Sequence, residues 1–438
     1  MTPFDIGLIC IAVLVVLVLA GLYVPIALIA TSFCGVWAIK GSPILAGKML
    51  GLAVNDSIAS YYFGIIPLFV LMGFLVAESD LGQDAYDVAN AVLGRLTGGL
   101  AMGTVGANAI FAAITGISIA SAAVFTRVAV PEMVRHGYTR RFAVGVVAGS
   151  SVLGMLIPPS LLLILYAVLT EQSVGDLFLA GIVPGLLLAT IFCLLIMAMI
   201  ILRPSFTGKH DHSATKKETA LSIARKAFPI LLLIVCVLGG IYGGVFTPVE
   251  AGAIGCVGAF ILGLAKRKLT LRRLRVVLLE TGIITATICF LIIAAQMYSR
   301  MLAFSQVPQE FGALIAGSDM GFLPVLLLYL LAVILLGMIL DSSSIMLIMV
   351  PIMLPILAQL NVDLIWFGIL TVVAVEMGLL TPPFGISVFV IKATLNDPSV
   401  GLGEIFAGAF PFALSMLIAV GLLIAFPGIA TGILTLSP

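Results

Sequence analysis

The chain has 438 residues, of which 62% are hydrophobic and only 9% are charged, and its mean hydropathy is +1.29. These values lie far outside the range of soluble globular proteins and indicate an all-α polytopic protein embedded in a lipid bilayer. The net charge of +1 leaves no basic face for nucleic acid, and the absence of a Walker A sequence excludes nucleotide hydrolysis by a P-loop mechanism.

The N-terminal region is predicted to contain several apolar helices. Residues 4–39 are nearly uncharged and too long for one crossing of about 20 residues, so we expect two helices with a turn at Gly21 and Pro25. No basic segment or cleavage site precedes the first helix, which is therefore expected to remain uncleaved. The sequence then predicts a loop at 40–60, a span at 61–78 and an amphipathic interfacial helix at 79–97.

Segment 99–135 is apolar but rich in small residues, with a polar tip between Gly116 and Ser121. Ten residues separate Ser121 from Pro131, about 15 Å as helix, which is half of a hydrocarbon core of about 30 Å. The spacing therefore favours a re-entrant hairpin. The alternative is one small-residue helix packed closely against its neighbours.

The rest of the chain alternates apolar spans with polar loops. Spans are predicted at 142–170, 178–202, 228–246, 249–265, 276–297, 364–395 and 401–435, with a polar loop at 203–226 and a second hairpin at 321–357. The span at 249–265 opens with a predicted cap, in which Thr247 is the N-cap, Pro248 follows it, and Glu250 is the third helical residue.

Two of these spans carry a Pro-Pro pair in the middle, Pro158-Pro159 and Pro382-Pro383. Proline lacks a backbone N–H and restricts the residue before it, so a helix is expected to break at each pair. Broken backbone at membrane depth is tolerated only inside protein or beside a wet cavity. A pair of such breaks therefore predicts a binding site.

The two breaks belong to an internal repeat. An offset of 224 residues places Pro158 on Pro382, and an offset of 220 residues places the hairpin tip at Ser121 on the tip at Asp341. Each copy contains a hairpin, a broken helix and a closing helix. We divide the chain accordingly into N-terminal scaffold helices (1–98), a first repeat (99–202), a polar loop with further scaffold helices (203–320) and a second repeat (321–438).

The loop charges predict that the copies are inverted. Of the 21 Lys and Arg residues, 15 fall in 132–141, 203–226 and 266–275, and positively charged loops stay in the cytoplasm. The first hairpin therefore begins and ends on the cytoplasmic side. The span 276–297 carries the chain outward, so the second hairpin begins and ends outside. Inverted repeats with broken helices are the architecture of secondary transporters.

Hydroxyls beside unwound carbonyls could supply the several oxygens that a sodium ion needs, and we predict one cation site in each repeat. The candidates in the first repeat are Ser118, Ser121, Ser150 and Ser160, with Ser151 beside them; those in the second are Asp341, Ser342, Ser343, Glu376 and Thr381. A single hydroxyl could instead bond to its own helix, and a tip carboxylate could instead cap nearby N–H groups. Acids at membrane depth are costly, which favours a functional role for Asp341 and Glu376.

The substrate is predicted to lie between the hairpin tips, since the N-termini of half-helices attract anions. The candidate residues are Gly116, Ser121, Pro158, Pro159, Ser344, Pro382, Pro383 and Arg127. Arg127 is about 9 Å from the first tip in a helix and could orient a carboxylate, or it could extend to the cytoplasmic interface.

Cysteine and histidine give no transition-metal pattern. The six cysteines stand singly in apolar runs and are interpreted as small buried hydrophobic residues. His136, His210 and His212 fall in predicted loops.

Several of these motifs together resemble the large membrane subunit of the tripartite ATP-independent periplasmic (TRAP) transporters. They are residues 239–251 (GGIYGGVFTPVEA), Ala120-Ser121 at the first tip, 156–160 (LIPPS) and 376–383 (EMGLLTPP). The resemblance covers essentially the whole chain.

The resemblance implies an elevator-type carrier of the bacterial inner membrane that moves sodium together with an organic acid, usually a carboxylate. It also implies two partners, a small membrane subunit of about four helices and a soluble periplasmic binding protein that delivers the substrate. It implies no cofactor besides sodium as the coupling ion.

Two other functions remain open on the sequence. A stand-alone sodium–carboxylate symporter or a cation–proton antiporter of related architecture would need no partner, and Asp341 and Glu376 could then carry protons. An intramembrane enzyme could use the same two acids in catalysis, although the chain has no nucleophile–base motif.

Overall fold

A computed structural model describes residues 1–94, 96–206, 219–316, 321–397 and 399–436, and within these ranges the regular structure is entirely helical. Seven helical segments of this part of the chain are long and apolar enough to cross a membrane. The number is eight if two helices that meet at 69°, Ile65–Ala77 and Leu81–Leu93, form one span. The predicted multi-pass all-α fold is therefore confirmed.

The helices follow the predicted order. The described residues of the first half form α1 (Pro3–Leu19), α2 (Val24–Lys40), α3 (Pro43–Ala59), α4 (Ile65–Ala77), α5 (Leu81–Leu93), α6 (Gly99–Thr115), α7 (Ser118–Arg135), α8 (Arg140–Ser151), α9 (Leu153–Leu156), α10 (Leu161–Thr170) and α11 (Val174–Leu202). Those of the second half form α12 (Ala220–Ile234), α13 (Gly240–Tyr242), α14 (Pro248–Ala265), α15 (Leu271–Ser305), α16 (Val307–Ala316), α17 (Phe322–Gly337), α18 (Ser342–Gln359), α19 (Leu364–Gly378), α20 (Ile386–Leu395), α21 (Leu402–Ala425) and α22 (Gly428–Thr431). A π-helical turn at Val235–Gly239 joins α12 to α13.

Two local signals in the scaffold helices are confirmed. The chain turns between α1 and α2 at Gly21, whose φ of +87° suits glycine, and Pro25 lies in the first turn of α2. The Thr247 hydroxyl accepts a bond from the Glu250 N–H at 3.4 Å, and the Glu250 carboxylate accepts one from the Thr247 N–H at 2.8 Å. This capping box begins α14 with Pro248, as predicted.

Three predicted boundaries are wrong. Residues 40–60 are not a loop, because Ser42 caps the Leu45 N–H at 3.3 Å and Pro43 begins α3. The loop 203–226 ends earlier than predicted, since α12 begins at Ala220; residues 207–218, with His210 and His212, lie outside the described residues. The last crossing ends at Ala425, and short helical turns follow Pro427.

The first hairpin is confirmed, and a single continuous helix over 99–135 is excluded. The chain reverses at Gly116, whose φ is +65°, and at Ile117. The Phe111 and Phe125 rings meet edge to face at 5.5 Å. Nearer the open end, the Thr104 hydroxyl lies 3.7 Å from the sulfur of Met133. Helices α6 and α7 are therefore antiparallel arms that enter and leave at the same end.

The second hairpin has the same form. Helices α17 and α19 run side by side in the same direction, because Gly337 lies against Gly378 while the Tyr329 and Phe367 rings lie 4.9 Å apart. A short connection joins the end of α18 to the start of α19, so α18 returns to the end where α17 begins.

Helix directions show that the two repeats are inverted. Helix α8 runs parallel to α21, since Arg141 hydrogen-bonds the Ala407 carbonyl and Gly149 lies against Phe412. Helix α19 runs antiparallel to α21, since the Trp366 indole donates to the Leu423 carbonyl at 2.8 Å while Gly385, beside the Leu379 carbonyl at the other end of α19, lies against Phe406. Helices α8 and α19 are equivalent under the 224-residue offset, yet they run in opposite directions.

Amphipathic helix α5 connects the scaffold helices to the first hairpin. Its apolar face packs against α6, and it also contacts α12. Acidic residues on and beside α5 form four ion pairs with basic residues of the scaffold: Glu78–Arg273 at 3.7 Å, Asp80–Lys268 at 2.7 Å, Asp84–Lys266, and Asp87–Lys226 at 2.6 Å. The amphipathic character is confirmed, whereas the position at the membrane interface and the division into scaffold and repeats stay predictions.

The contact between α8 and α21 leaves no room for a side chain at Gly145. A Cβ on Gly145 would overlap the backbone of Gly408, which cannot move aside as a flexible side chain can. Gly145→Ala should therefore destabilise the protein by about 1–3 kcal/mol, the usual cost of overpacking. Gly421→Ala, a matched helical change on α21 into open space, should leave the melting temperature unchanged or higher. Thermal unfolding in detergent measures both, and equal melting temperatures would contradict the packing argument.

Candidate functional site

Each hairpin tip is docked onto the break of its own repeat through backbone groups. In the first repeat, the Leu161 N–H donates to the Gly116 carbonyl at 3.1 Å. A Cβ on Gly116 would meet the Pro159 carbonyl, and one on Gly154 would lie 3.0 Å from the backbone of Ser118. In the second repeat, the Phe384 N–H donates to the Met338 carbonyl at 3.1 Å.

The repeats also cross over at the tips. Helix α7, the second arm of the first hairpin, packs against α20, the half-helix after the second break. Reciprocally, α18 packs against α10, the half-helix after the first break. Both tips and both breaks therefore converge, and this convergence brings together side chains that are more than 200 residues apart.

Glu376 places a buried carboxylate at this convergence. It lies in the last turns of α19, only 1% exposed, and its Oε1 accepts a hydrogen bond from the Ser342 hydroxyl at 3.1 Å. The Ser118 hydroxyl of the first tip is close enough to interact with the same carboxylate. Its second oxygen, Oε2, has no hydrogen-bond partner among the described residues. A buried carboxylate without a compensating partner costs several kcal/mol, so this position favours a bound cation or a proton.

Three buried hydroxyls at the same place have no hydrogen-bond partner in the described part of the chain, namely those of Ser118, Ser121 and Ser387. Ser118 and Ser121 lie in the first turn of α7, and Ser387 lies in the first turn of α20, which packs against α7. Buried polar atoms are usually paired, so a group of unpaired oxygens indicates a place where a ligand can bind.

Other predicted ligands already have partners. Ser150 donates to the Val146 carbonyl at 2.7 Å, and Thr381 donates to the Met377 carbonyl at 2.8 Å. Ser151 bonds to the Ala148 carbonyl in the same way at 2.8 Å. Ser160 caps α10 by accepting from the Leu163 N–H at 3.2 Å, and it also donates to the Met155 carbonyl. These hydroxyls bond to nearby backbone groups, which is the structural alternative to binding a cation.

Asp341 is the N-cap of α18. Its Oδ2 accepts from the N–H groups of Ser343 and Ser344, both at 3.1 Å, and its Oδ1 accepts from the Ser344 hydroxyl at 2.5 Å. Asp341 therefore has the capping role that was the alternative to cation binding. A cap can still share its oxygens with an ion, so sodium binding by Asp341 stays a prediction.

The predicted substrate residues are not equally placed. Gly116, Pro158 and Pro159 are buried at the first tip and break, whereas Pro382 and Pro383 are exposed. Ser344 is buried with its hydroxyl on Asp341. Arg127 is exposed on α7, outside the buried group of hydroxyls.

Two polar residues of this region were missed. Ser387 follows the second break by four residues and would have been found by extending the hydroxyl search past Pro383. Asn108 is the lone amide of α6; its Nδ2 donates to Ser150 at 2.8 Å and to the Thr104 carbonyl at 3.1 Å. Asn108 could have been found from the sequence as a single amide in an otherwise apolar arm of the hairpin.

Comparison with curated proteins gives full-length relatives. The chain is 37% identical to the C4-dicarboxylate TRAP transporter large permease protein DctM of Pseudomonas aeruginosa, over 85% of this chain and 86% of that protein. It is 32% identical to the protein of the same name from Rhodobacter capsulatus, over 97% and 98% of the two chains. It is 29% identical to the sialic acid TRAP transporter large permease protein SiaM of Vibrio cholerae, over 94% of each.

The fold also matches a solved transporter structure. The YdaH transporter of Alcanivorax borkumensis superposes with a TM-score of 0.65 at 14% identity, over 88% of this chain and 90% of that one, which is a likeness of fold alone. Residues 11–429 match the model of a single family, described as the tripartite ATP-independent periplasmic transporter, DctM component. The chain therefore belongs to this family of multi-pass inner-membrane proteins, which are transporter permeases and not enzymes.

Proposed function

We propose that this permease couples the uptake of an organic acid to sodium, with the ion and the substrate bound where the two hairpin tips meet. The observation that carries the proposal is the buried carboxylate of Glu376, which faces Ser342 of one tip and Ser118 of the other. This group of oxygens draws on both repeats, so an ion held there links their positions.

Sodium suits the group because the available donors are hard oxygens. The Ser342 hydroxyl donates to the carboxylate, the Ser118 hydroxyl lies close to it, and the breaks and tips add backbone carbonyls. Without an ion, Glu376 would leave a buried charge with one hydrogen bond. A monovalent cation neutralises that charge and supplies a partner for Oε2.

Several relatives and the half-helix ends support an organic acid as the substrate. Two of the compared permeases are named for C4-dicarboxylates and a third for sialic acid, all of them organic acids. The N-termini of α7 and α18 lie at the two tips and present the positive ends of their dipoles. An anionic carboxylate between the tips would be stabilised by both.

We further propose that the chain works with a small membrane subunit of about four helices and a periplasmic binding protein that delivers the substrate. The family description as one component of a tripartite periplasmic transporter supports this assembly. In the proposed elevator motion, the two hairpins and broken helices move as one body against the remaining helices. Their mutual docking through backbone bonds and crossed helices supports movement as a unit.

One observation favours a second candidate, a proton-coupled carrier that works alone. The unpaired Oε2 of Glu376 could hold a proton instead of facing a sodium ion. The two candidates differ in which gradient drives uptake and in whether the binding protein is needed.

The sodium site can be tested through Ser118. Ser118→Ala removes an unpaired hydroxyl and should raise the sodium concentration for half-maximal uptake by about tenfold, which corresponds to about 1.4 kcal/mol. Ser415→Ala is the matched control, since this buried serine already bonds to the Phe412 carbonyl at 2.8 Å. Uptake by the reconstituted transporter measures both variants. A sodium curve for Ser118→Ala that overlays the control would refute the ligand role.

Capping and ion binding by Asp341 can be separated with two substitutions. Asn caps helices as well as Asp, so Asp341→Asn should keep the thermal stability, whereas Asp341→Ala should lose about 1 kcal/mol. If the charge also binds sodium, Asp341→Asn should weaken sodium activation of uptake by about tenfold at unchanged stability. Normal sodium activation in Asp341→Asn would restrict this residue to its capping role.

Reconstitution in liposomes tests the tripartite assembly. We expect uptake under an inward sodium gradient only when the chain, the small subunit and the binding protein are all present. A proton gradient without sodium should give no uptake. Substrate accumulation by the chain alone would overturn the tripartite proposal, and accumulation driven by protons alone would favour the second candidate.

A further inference from the structure

A groove of about 240 Å³ lies at one end of the helix bundle, between the start of α8, the end of α11 and the start of α21. Two guanidinium groups, Arg141 and Arg203, lie at this groove. Its other walls are mainly apolar and include Met199, Leu202, Phe206 and Pro411. None of the residues that line the groove belongs to a hairpin tip, to a Pro-Pro break or to the group of oxygens around Glu376.

Both arginines have N–H groups that are available to a ligand. The Arg141 Nη2 donates to the Ala407 carbonyl at 3.3 Å, which uses one of five N–H groups. The neighbouring acid, Asp397, is paired with Arg140 at 3.3 Å. Within the described residues, neither Arg141 nor Arg203 has an ion pair, so the groove carries a positive charge that a ligand could neutralise.

The floor of the groove is already ordered. The Phe142 and Phe206 rings stack at 5.5 Å, and the Tyr138 ring stacks on Phe142 at 5.9 Å. The Thr139 N–H donates to the Phe206 carbonyl at 3.0 Å, which fixes the turn after α11 against the start of α8. Little conformational entropy is therefore lost when a ligand binds.

The groove opens beside the surface that faces lipid. Large apolar side chains on the adjoining turns of α11 and α21 are exposed, with Ile201 64%, Leu202 79%, Phe410 55% and Leu414 54% accessible. Immediately after this apolar surface, Arg203 and Pro204 end α11. The guanidinium groups therefore lie at the level of the phospholipid headgroups, with hydrocarbon-facing surface directly beneath them.

We propose that this groove binds an anionic phospholipid of the bilayer, with the phosphodiester between Arg141 and Arg203 and the acyl chains along the apolar surfaces of α11 and α21. Arginine binds phosphate oxygens through its planar fork, and basic pockets between helices at the cytoplasmic side suit anionic headgroups. The described residues at this end of the bundle also include Arg135 and Arg140 beside Arg141, in keeping with that side. Since α8 and α11 belong to the first repeat and α21 to the second, the lipid would bridge the repeats.

The test uses the purified full chain in detergent with defined lipids. Native mass spectrometry should show one retained phosphatidylglycerol under conditions that remove phosphatidylcholine, and phosphatidylglycerol should raise the melting temperature. Arg141→Gln with Arg203→Gln should weaken phosphatidylglycerol binding by about tenfold or more. The single variant Arg203→Gln keeps the Arg141–Ala407 hydrogen bond. If the double variant does not fold, weaker phosphatidylglycerol binding by Arg203→Gln alone supports the site.

The matched control is Arg272→Gln with Arg275→Gln, which removes the same charge from exposed positions on α15. This variant should bind phosphatidylglycerol as the wild type does. An equal loss in the control would show general electrostatic attraction and overturn the site, as would unchanged binding in Arg203→Gln. Two other results would overturn the lipid assignment. One is that the protein retains phosphatidylcholine as well as phosphatidylglycerol. The other is that inorganic phosphate alone displaces the lipid and stabilises the protein as much as phosphatidylglycerol does.

Discussion

The structure depends on how two broken helices satisfy their backbone groups at membrane depth. Each Pro-Pro pair removes intrahelical hydrogen bonds where no water can replace them, and each unpaired group costs several kcal/mol in hydrocarbon. The Leu161–Gly116 and Phe384–Met338 bonds answer this need with the tip of a re-entrant hairpin. A hairpin that ends half way through the membrane is therefore the structural partner that a broken helix requires.

This docking explains why the chemistry gathers where it does. Two tips that dock on two breaks leave four half-helix ends close together, and the crossing of α7 with α20 and of α10 with α18 brings them into one region. Glu376 belongs to the second repeat by sequence, yet Ser118 of the first lies close to its carboxylate. This proximity would make the proposed ion site sensitive to the relative position of the repeats, which is what coupled transport demands.

Features that arise from local chemistry could be predicted from the sequence. A proline pair breaks a helix in any context, and the Thr247–Glu250 cap and the ten-residue spacing behind each tip are equally local. The loop charges were sufficient to predict the inversion.

Helix α3 was missed because the charges of 40–60 suggested a loop. The start signal Ser42-Pro43 was overlooked. The ion-pair partner of Asp56 is Arg300, which lies far along the chain and could not be identified from the local sequence.

Residue type alone does not separate the candidate hydroxyls that are unpaired from those that bond to their own helix. Ser118 and Ser150 are both buried serines in small-residue helices, but Ser150 bonds to its own helix while Ser118 has no such bond. The difference follows from position, because Ser118 is the first residue of α7, where no carbonyl four residues earlier belongs to the helix. Likewise the two Pro-Pro motifs read alike, although the first is buried and the second is exposed. Exposure depends on what the rest of the chain places over each break.

The connection between the first hairpin and the scaffold suits the motion that the proposed function requires. Interdigitated apolar side chains fit in one register, so a sliding interface made of them would have to unpack. Helix α5 instead faces the scaffold with four ion pairs, all at least partly exposed. Such pairs contribute about 0–1 kcal/mol each, so together they match the few kcal/mol that separate conformational states. Flexible Lys and Arg side chains can also follow a moving carboxylate over several ångströms. The bend of 69° between α4 and α5, which lies beside Glu78 and Asp80, is the hinge that we propose for this motion.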